Sequence, residues 1–163
     1  MVNIGLLLKR MEIMGLPSDV LALIRSWLLE RKAYVEVDGE CSELFDVMAG
    51  TVQGSVLGPV LFNLFIRPML ESCSGPAYAD DSYHLGSGSS KTEALNTLQK
   101  KIIEVEKWMS GSGLKVNLEN TELSIFHRYD TGKATITVKN IVVKSSPVLK
   151  ALGLLFDSRM QWD

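Results

Sequence analysis

The 163-residue chain has little of what several large functional classes require. Its two cysteines, Cys41 and Cys73, lie far apart and form no C-x-x-C pair, which removes a zinc ribbon or a disulfide framework and points to a reduced, intracellular setting. It has only two histidines, His84 and His127, and no further ligand stands at metal spacing from either, so both are expected to be structural or solvent-facing. Positive charge is not in excess: 17 Lys and Arg against 19 Asp and Glu give a net charge of −2. A global basic field that gathers phosphate is therefore excluded, and any nucleic-acid binding must come from local clusters or another segment. No apolar run is long enough to cross a membrane, because residues 56–70 are broken by Pro59, Asn63, Arg67 and Pro68. The opening MVNIGLLLKRM has its Lys9-Arg10 pair on the wrong side of a short apolar run for a signal peptide.

What is present, 46% hydrophobic residues over this length, is enough for one packed domain. Leu6, Leu7, Met11 and Met14 recur at helical spacing up to Gly15-Leu16-Pro17. Ser18 is expected to cap a second helix ending near Leu29, with Leu21, Ile24 and Leu28 on one face. Alternation from Ala33 into Asp38-Gly39, with a return at residues 44–48, predicts a hairpin. Ser55 is placed to cap the apolar helix that follows. Gly75-Pro76 then precedes a short strand and turn over residues 77–85, and residues 91–109 form an amphipathic helix with Leu95, Leu98, Ile102, Val105 and Trp108 inward. Trp27 and Trp108 are assigned to core. Residues 123–126, 134–138, 141–143 and 152–156 read as antiparallel strands, with turns at Thr131-Gly132 and Lys139-Asn140. The predicted class is α+β, an antiparallel sheet covered on one face by helices.

Two adjacent carboxylates, Asp80 and Asp81, carry the sharpest chemical signal. Hard oxygen donors at neighbouring positions repel unless a cation sits between them, which suits Mg²⁺; a solvated Asp-Asp-Ser turn is the bland alternative. Gln53-Gly54-Ser55 admits two readings of equal standing, a capped helix start or a loop offering a donor, an acceptor and close backbone approach to a ligand.

These residues lie within a longer ordered series: Gly50-Thr-Val-Gln-Gly-Ser-Val-Leu-Gly-Pro-Val-Leu-Phe-Asn-Leu-Phe-Ile, then Tyr78-Ala79-Asp80-Asp81, then Trp108 with Gly113-Leu-Lys-Val-Asn, Thr121-Glu122 and Phe126, and finally Leu152-Gly153-Leu154 with Asp157 and Trp162. The series resembles the reverse transcriptase of non-LTR retrotransposons over nearly the whole chain. The resemblance implies a palm-like fold over residues 1–145, with residues 146–163 starting the primer-grip and thumb connection. It implies that Asp80 and Asp81 are catalytic metal ligands for two Mg²⁺ ions, with Mn²⁺ as a substitute. Gln53, Gly54, Ser55, Tyr78 and Ala79 would contact the incoming nucleotide and template, Ala79 lying also beside the primer end, and Leu152 and Gly153 would grip the primer. The partners implied are an RNA template, a DNA primer and deoxynucleoside triphosphates.

The chain departs from the family pattern in places. Val52 stands where Pro is usual, and Asn120 stands where a Lys commonly protonates the leaving pyrophosphate; an amide cannot do so, although Lys115 is near in sequence. The family's first metal-binding aspartate, in a segment like Asp-x-x-x-Ala-Phe-Asp-x-Val, is expected upstream of Met1, and the fingers, first catalytic strand and thumb are expected to lie outside these residues. The expectation is a polymerase fragment that pairs with the missing segments; the alternative is an inactive remnant or an RNA- or protein-binding module.

Overall fold

The computed structural model describes residues 1–73, 75–127 and 132–159. Thr131 and Trp162, used above, lie outside the described residues. The chain divides into two compact units, the first comprising Met1–Tyr83 with Ser110–Leu114 and the second His84–Met109 with Lys115–Asp163.

The first unit is built on three helices. Helix α1 (Ile4–Ile13) starts where the Asn3 side chain accepts from the Leu6 amide at 3.0 Å, a cap the sequence reading missed. It ends on Gly15 at φ 82°, whose left-handed backbone lets the Leu16 amide reach back to the Met11 carbonyl at 3.1 Å. Helix α2 (Ser18–Leu28) corrects the expected cap: Pro17 holds the capping position without a side-chain bond, and Ser18 is the first helical residue. Proline's fixed φ supplies the entry that a hydroxyl was expected to supply. Helix α3 (Leu57–Cys73) contains Pro68, so the Leu64 carbonyl lacks its usual helical donor. Val2, Ile4, Leu7, Met11, Ile24, Leu28, Leu61, Phe65, Ile66 and Met69 are buried, as the helical spacing required, while Trp27 is half-buried.

Arg10 is held among these apolar groups. Its guanidinium lies 4.3 Å from the centroid of the Phe65 ring and donates to the Phe65 carbonyl at 2.5 Å and to the Ser112 hydroxyl at 2.7 Å. Burial lowers its pKa from the ordinary value. Arg31 plays a similar part at the surface, donating to the carbonyls of Leu28 and Gly50 at 2.8 and 2.6 Å and so fixing the chain that leads into residues 51–55.

The predicted hairpin is present as two short ladders. β1 (Lys32–Ala33) pairs with β4 (Phe45–Asp46), and β2 (Glu36–Val37) pairs with β3 (Glu40–Cys41) across Asp38-Gly39, both at positive φ (52° and 84°) as a tight two-residue turn demands. β5 (Ala77–Tyr78) and β6 (Asp81–Ser82) complete this unit's strands among the described residues.

In the second unit, helix α4 begins at Lys91; the element as a whole runs Lys91–Gly111. It packs through Leu98 on Leu123, Ile136 and Val138, flanked by Leu95, Ile102, Val116, Leu118 and Val143. Gln99 grips β7 (Thr135–Val138) at both backbone groups of Thr137, each at 2.8 Å. β7 pairs with β8 (Ile141–Lys144) around the predicted Lys139-Asn140 turn, and β9 (Val148–Ala151) with β10 (Leu154–Asp157).

Two strand expectations are corrected. Residues 123–126 form no strand: Leu123 makes one isolated bridge to Ser145, and the Ser124 hydroxyl is spent on the Ser146 carbonyl at 3.2 Å. Leu152-Gly153 is a turn, not part of a strand, with φ of 50° and 83°; β9 precedes it. The class is α+β, but the expected single sheet is replaced by five two-stranded antiparallel ladders among the described residues. Each ladder's outer edges carry no further strand among the described residues.

Candidate active site

The hairpin carrying the acidic pair begins after Gly75-Pro76. Ala77 pairs with Ser82 and Tyr78 with Asp81, and the Tyr83 amide donates to the Pro76 carbonyl at 2.9 Å. Ala79 and Asp80 are therefore the two turn residues, and Ala79 takes φ 51°. Only the first of the two aspartates lies in the turn itself; Asp81 opens β6. Directly opposed residues share a ladder face, so Asp81 sits beside Tyr78, which is 66% exposed. Both carboxylates are solvent-exposed, and neither takes part in an ion pair among the described residues.

The fit to a divalent cation is good in kind and short in number. Mg²⁺ takes oxygen donors and is commonly held by one or two carboxylates with water and substrate phosphate, so Asp80 and Asp81 suit a single ion. Among the described residues, no group of three His, Cys, Asp or Glu side chains is gathered that could hold a metal. A two-ion clamp needs carboxylates beyond this pair.

The loop at Gln53-Gly54-Ser55 belongs to the same unit. The Ser55 hydroxyl accepts from the Gly58 amide at 2.9 Å and donates to the Val52 carbonyl at 2.7 Å, so it is committed to capping α3. Gly54, at φ 76°, has open space where a Cβ would stand and is required for its backbone conformation. The tight glycine is Gly58, where a Cβ would come within 2.8 Å of the Val52 carbonyl, a constraint that the sequence reading did not single out. Gln53 is exposed and is the residue of this loop with its side chain uncommitted.

In the second unit, the Glu122 carboxylate accepts from the Lys150 amide at 3.2 Å, tying the Thr121-Glu122 segment to the strand that leads into Leu152-Gly153. Leu152 is 58% exposed at that turn. Asn120 and Lys115 are exposed. Burial, then the nearby Lys101 cation, lowers the pKa of His84.

Residues 1–154 match the family model for reverse transcriptase (RNA-dependent DNA polymerase). The chain belongs to the reverse transcriptase family. Within it, the chain is similar to the RNA-directed DNA polymerase from mobile element jockey of Drosophila melanogaster, with 26% identity over 96% of this chain and 18% of that protein. It is 28% identical over 88% of its length to the probable RNA-directed DNA polymerase from transposon BS of the same fly, covering 17% of that protein. A retrovirus-related Pol polyprotein from type-1 retrotransposable element R1 2 of Nasonia vitripennis is 30% identical over 57% of this chain and 24% of its own length. The chain is thus a reverse transcriptase sequence of the non-LTR retrotransposon type, and it spans about a fifth of the length of these curated relatives. No described helix is long and apolar enough to cross a membrane.

Proposed function

We propose that this chain supplies part of the palm of an RNA-directed DNA polymerase, with Asp80 and Asp81 as carboxylates of the polymerisation site. The observation that carries the reading is the β5–β6 hairpin, which presents both side chains to solvent in a chain of the reverse transcriptase family. A divalent ion bound there, Mg²⁺ or Mn²⁺, would supply charge neutralisation for nucleotidyl transfer. Asp80 and Asp81 hold it, the small side chain of Ala79 leaves the primer end room to approach, and Tyr78 offers an exposed ring beside it. Gln53 reads the incoming nucleotide or template base, Gly54 shapes that loop, and Ser55 keeps it on the start of α3. Leu152 and Gly153 form the primer-contacting turn. Residues 1–145 are assigned to the palm and 146–163 to the connection toward a thumb. Template RNA, primer DNA and deoxynucleoside triphosphates are the partners, which places the reaction inside the cell, and additional carboxylates come from a polymerase segment outside the described residues.

Primer extension on an RNA template with Mg²⁺ and all four deoxynucleoside triphosphates tests this. The chain alone is expected to extend nothing; joined to the upstream polymerase segment it extends the primer, and Asp80→Asn or Asp81→Asn abolishes that extension. Undiminished extension by both variants overturns the assignment. A second reading, a non-catalytic module that binds RNA or a full-length polymerase, is favoured by the lack of a three-carboxylate cluster among the described residues and by Asn120. Specific RNA or polymerase binding that survives both substitutions, with no extension under any supplementation, selects it.

A further inference from the structure

The second unit contains a pocket of about 240 Å³ lined by Lys133, Ser145, Ser146 and Ser158 among others. Its hydrogen-bonding capacity is lopsided. Several of the backbone acceptors around it are already used: the Gly132 carbonyl takes the Lys91 ammonium at 2.8 Å, the Ser146 carbonyl takes the Ser124 hydroxyl at 3.2 Å, and the Pro147 carbonyl takes the Ser158 amide at 2.9 Å. The Ser158 carbonyl likewise takes the His127 amide at 3.2 Å.

The side-chain donors have no acceptor among the described residues. The Ser145 oxygen accepts from the Ala134 amide at 2.9 Å and the Ser146 oxygen from the Val148 amide at 3.3 Å, so each hydroxyl has its hydrogen left to give. Ser158 is only 9% exposed, and its hydroxyl has no hydrogen-bond partner among the described residues. That hydroxyl is not itself sealed off, so it is open to a ligand entering the pocket. Three hydroxyl donors and the Lys133 ammonium around one small cavity match an acceptor-only anion with several oxygens.

We propose that this pocket binds a tetrahedral phosphate oxyanion, seated on the hydroxyls of Ser145, Ser146 and Ser158 with Lys133 supplying the cation. The phosphate is either free or a phosphodiester of a nucleic-acid backbone, since both present the same oxygens. The site stands apart from the polymerase reading and does not depend on Asp80 or Asp81.

The test is amide-resolved NMR of the full chain at constant ionic strength, titrated in one arm with inorganic phosphate and in another with a short single-stranded oligonucleotide lacking terminal phosphates. Saturable shifts at residues 145, 146 and 158 are expected in at least one arm, and the responding arm identifies the source. Ser158→Ala deletes a hydroxyl that has no hydrogen-bond partner among the described residues, and Lys133→Gln alters an exposed side chain. Each is expected to weaken binding about tenfold, the effect of one charge-assisted hydrogen bond. The proposal fails if neither ligand gives saturable shifts at those residues, if chloride reproduces the shifts, or if the folded double variant binds as tightly as the unaltered chain.

Discussion

Replacing Arg10 with methionine tests what organises the unit that carries the acidic hairpin. The substitution keeps an unbranched apolar stem and removes the guanidinium, with its two hydrogen bonds and its stacking on Phe65. Hydrogen bonds to a charged group contribute about 1.5–3 kcal/mol each, and a partly desolvated cation–π contact about 1–2 kcal/mol. Removing Arg10 also strands the Ser112 hydroxyl, which is 1% exposed and loses its donor, at a cost of about 1–3 kcal/mol. Against this, the desolvation that lowers the arginine pKa is relieved. The net expectation is a loss of about 3 kcal/mol, or about 10 °C in melting temperature for a chain of this size. Thermal and urea unfolding followed by circular dichroism measures it. A double-mutant cycle with Ser112→Ala apportions it, because Ser112→Ala should recover about 1 kcal/mol in the Arg10→Met background by removing the stranded hydroxyl. An Arg10→Met protein that melts within about 2 °C of the parent would refute the view that this half-buried cation ties α1, α3 and residue 112 together.

Other perturbations probe the hairpin and its surroundings. Ala79 sits at φ 51°, where a β-carbon is strained, so Ala79→Gly should stabilise by up to about 1 kcal/mol and Ala79→Val should destabilise by about 1–2 kcal/mol; the reverse order in unfolding experiments would refute the left-handed turn. His84 has a folded-state pKa below its ordinary 6.5, so the unfolded chain binds the proton more readily. Its contribution to stability is therefore intact above pH 6.5 and lost as pH falls below it, a slope that His84→Gln should flatten in denaturation curves; an unchanged slope counts against the burial and the Lys101 repulsion. Amide hydrogen exchange should be fast at Tyr78 and Ser82 and slow at Leu61, Phe65 and Met69 in α3, and equal protection would mean that the hairpin is held by more than its own two residue pairs.

Helices were the legible part of the fold, because burial at Leu7, Met11, Ile24, Leu28, Leu98 and Val105 follows the spacing of apolar residues along each segment. Turns with Asp-Gly or Lys-Asn were legible for the same local reason, since the residues at positive φ name themselves. Leu152-Gly153 was misread because leucine rarely takes φ of 50°, so a run of apolar residues concealed a turn. Ser18 and Ser55 illustrate the limit of capping rules: both are serines ahead of apolar runs, yet Ser55 caps through its hydroxyl and Ser18 is displaced into the helix by the proline before it. Arg10 and Arg31 were illegible, since their partners are carbonyls brought near by packing, and no spacing in sequence records them. In the candidate site, the ordered motif series located Asp80 and Asp81, while only the pairing of Tyr78 with Asp81 separates their placements.

That separation bears on what the acidic pair can do. Asp80 projects from a turn and Asp81 from the first residue of a strand, so their relative geometry depends on a ladder of just two residue pairs. A two-stranded ribbon of this length is marginal in water, whereas a catalytic constellation must hold its groups to within about 0.5 Å. Among the described residues, no third strand pairs with β5 or β6. Among the described residues each strand therefore has an outer edge with no neighbouring strand, and such an edge is the surface by which a further strand adds to a sheet. A strand that paired there would fix the turn and, by bringing its own carboxylate, would supply the donor the pair lacks; rigidity and metal capacity would then come from the same event.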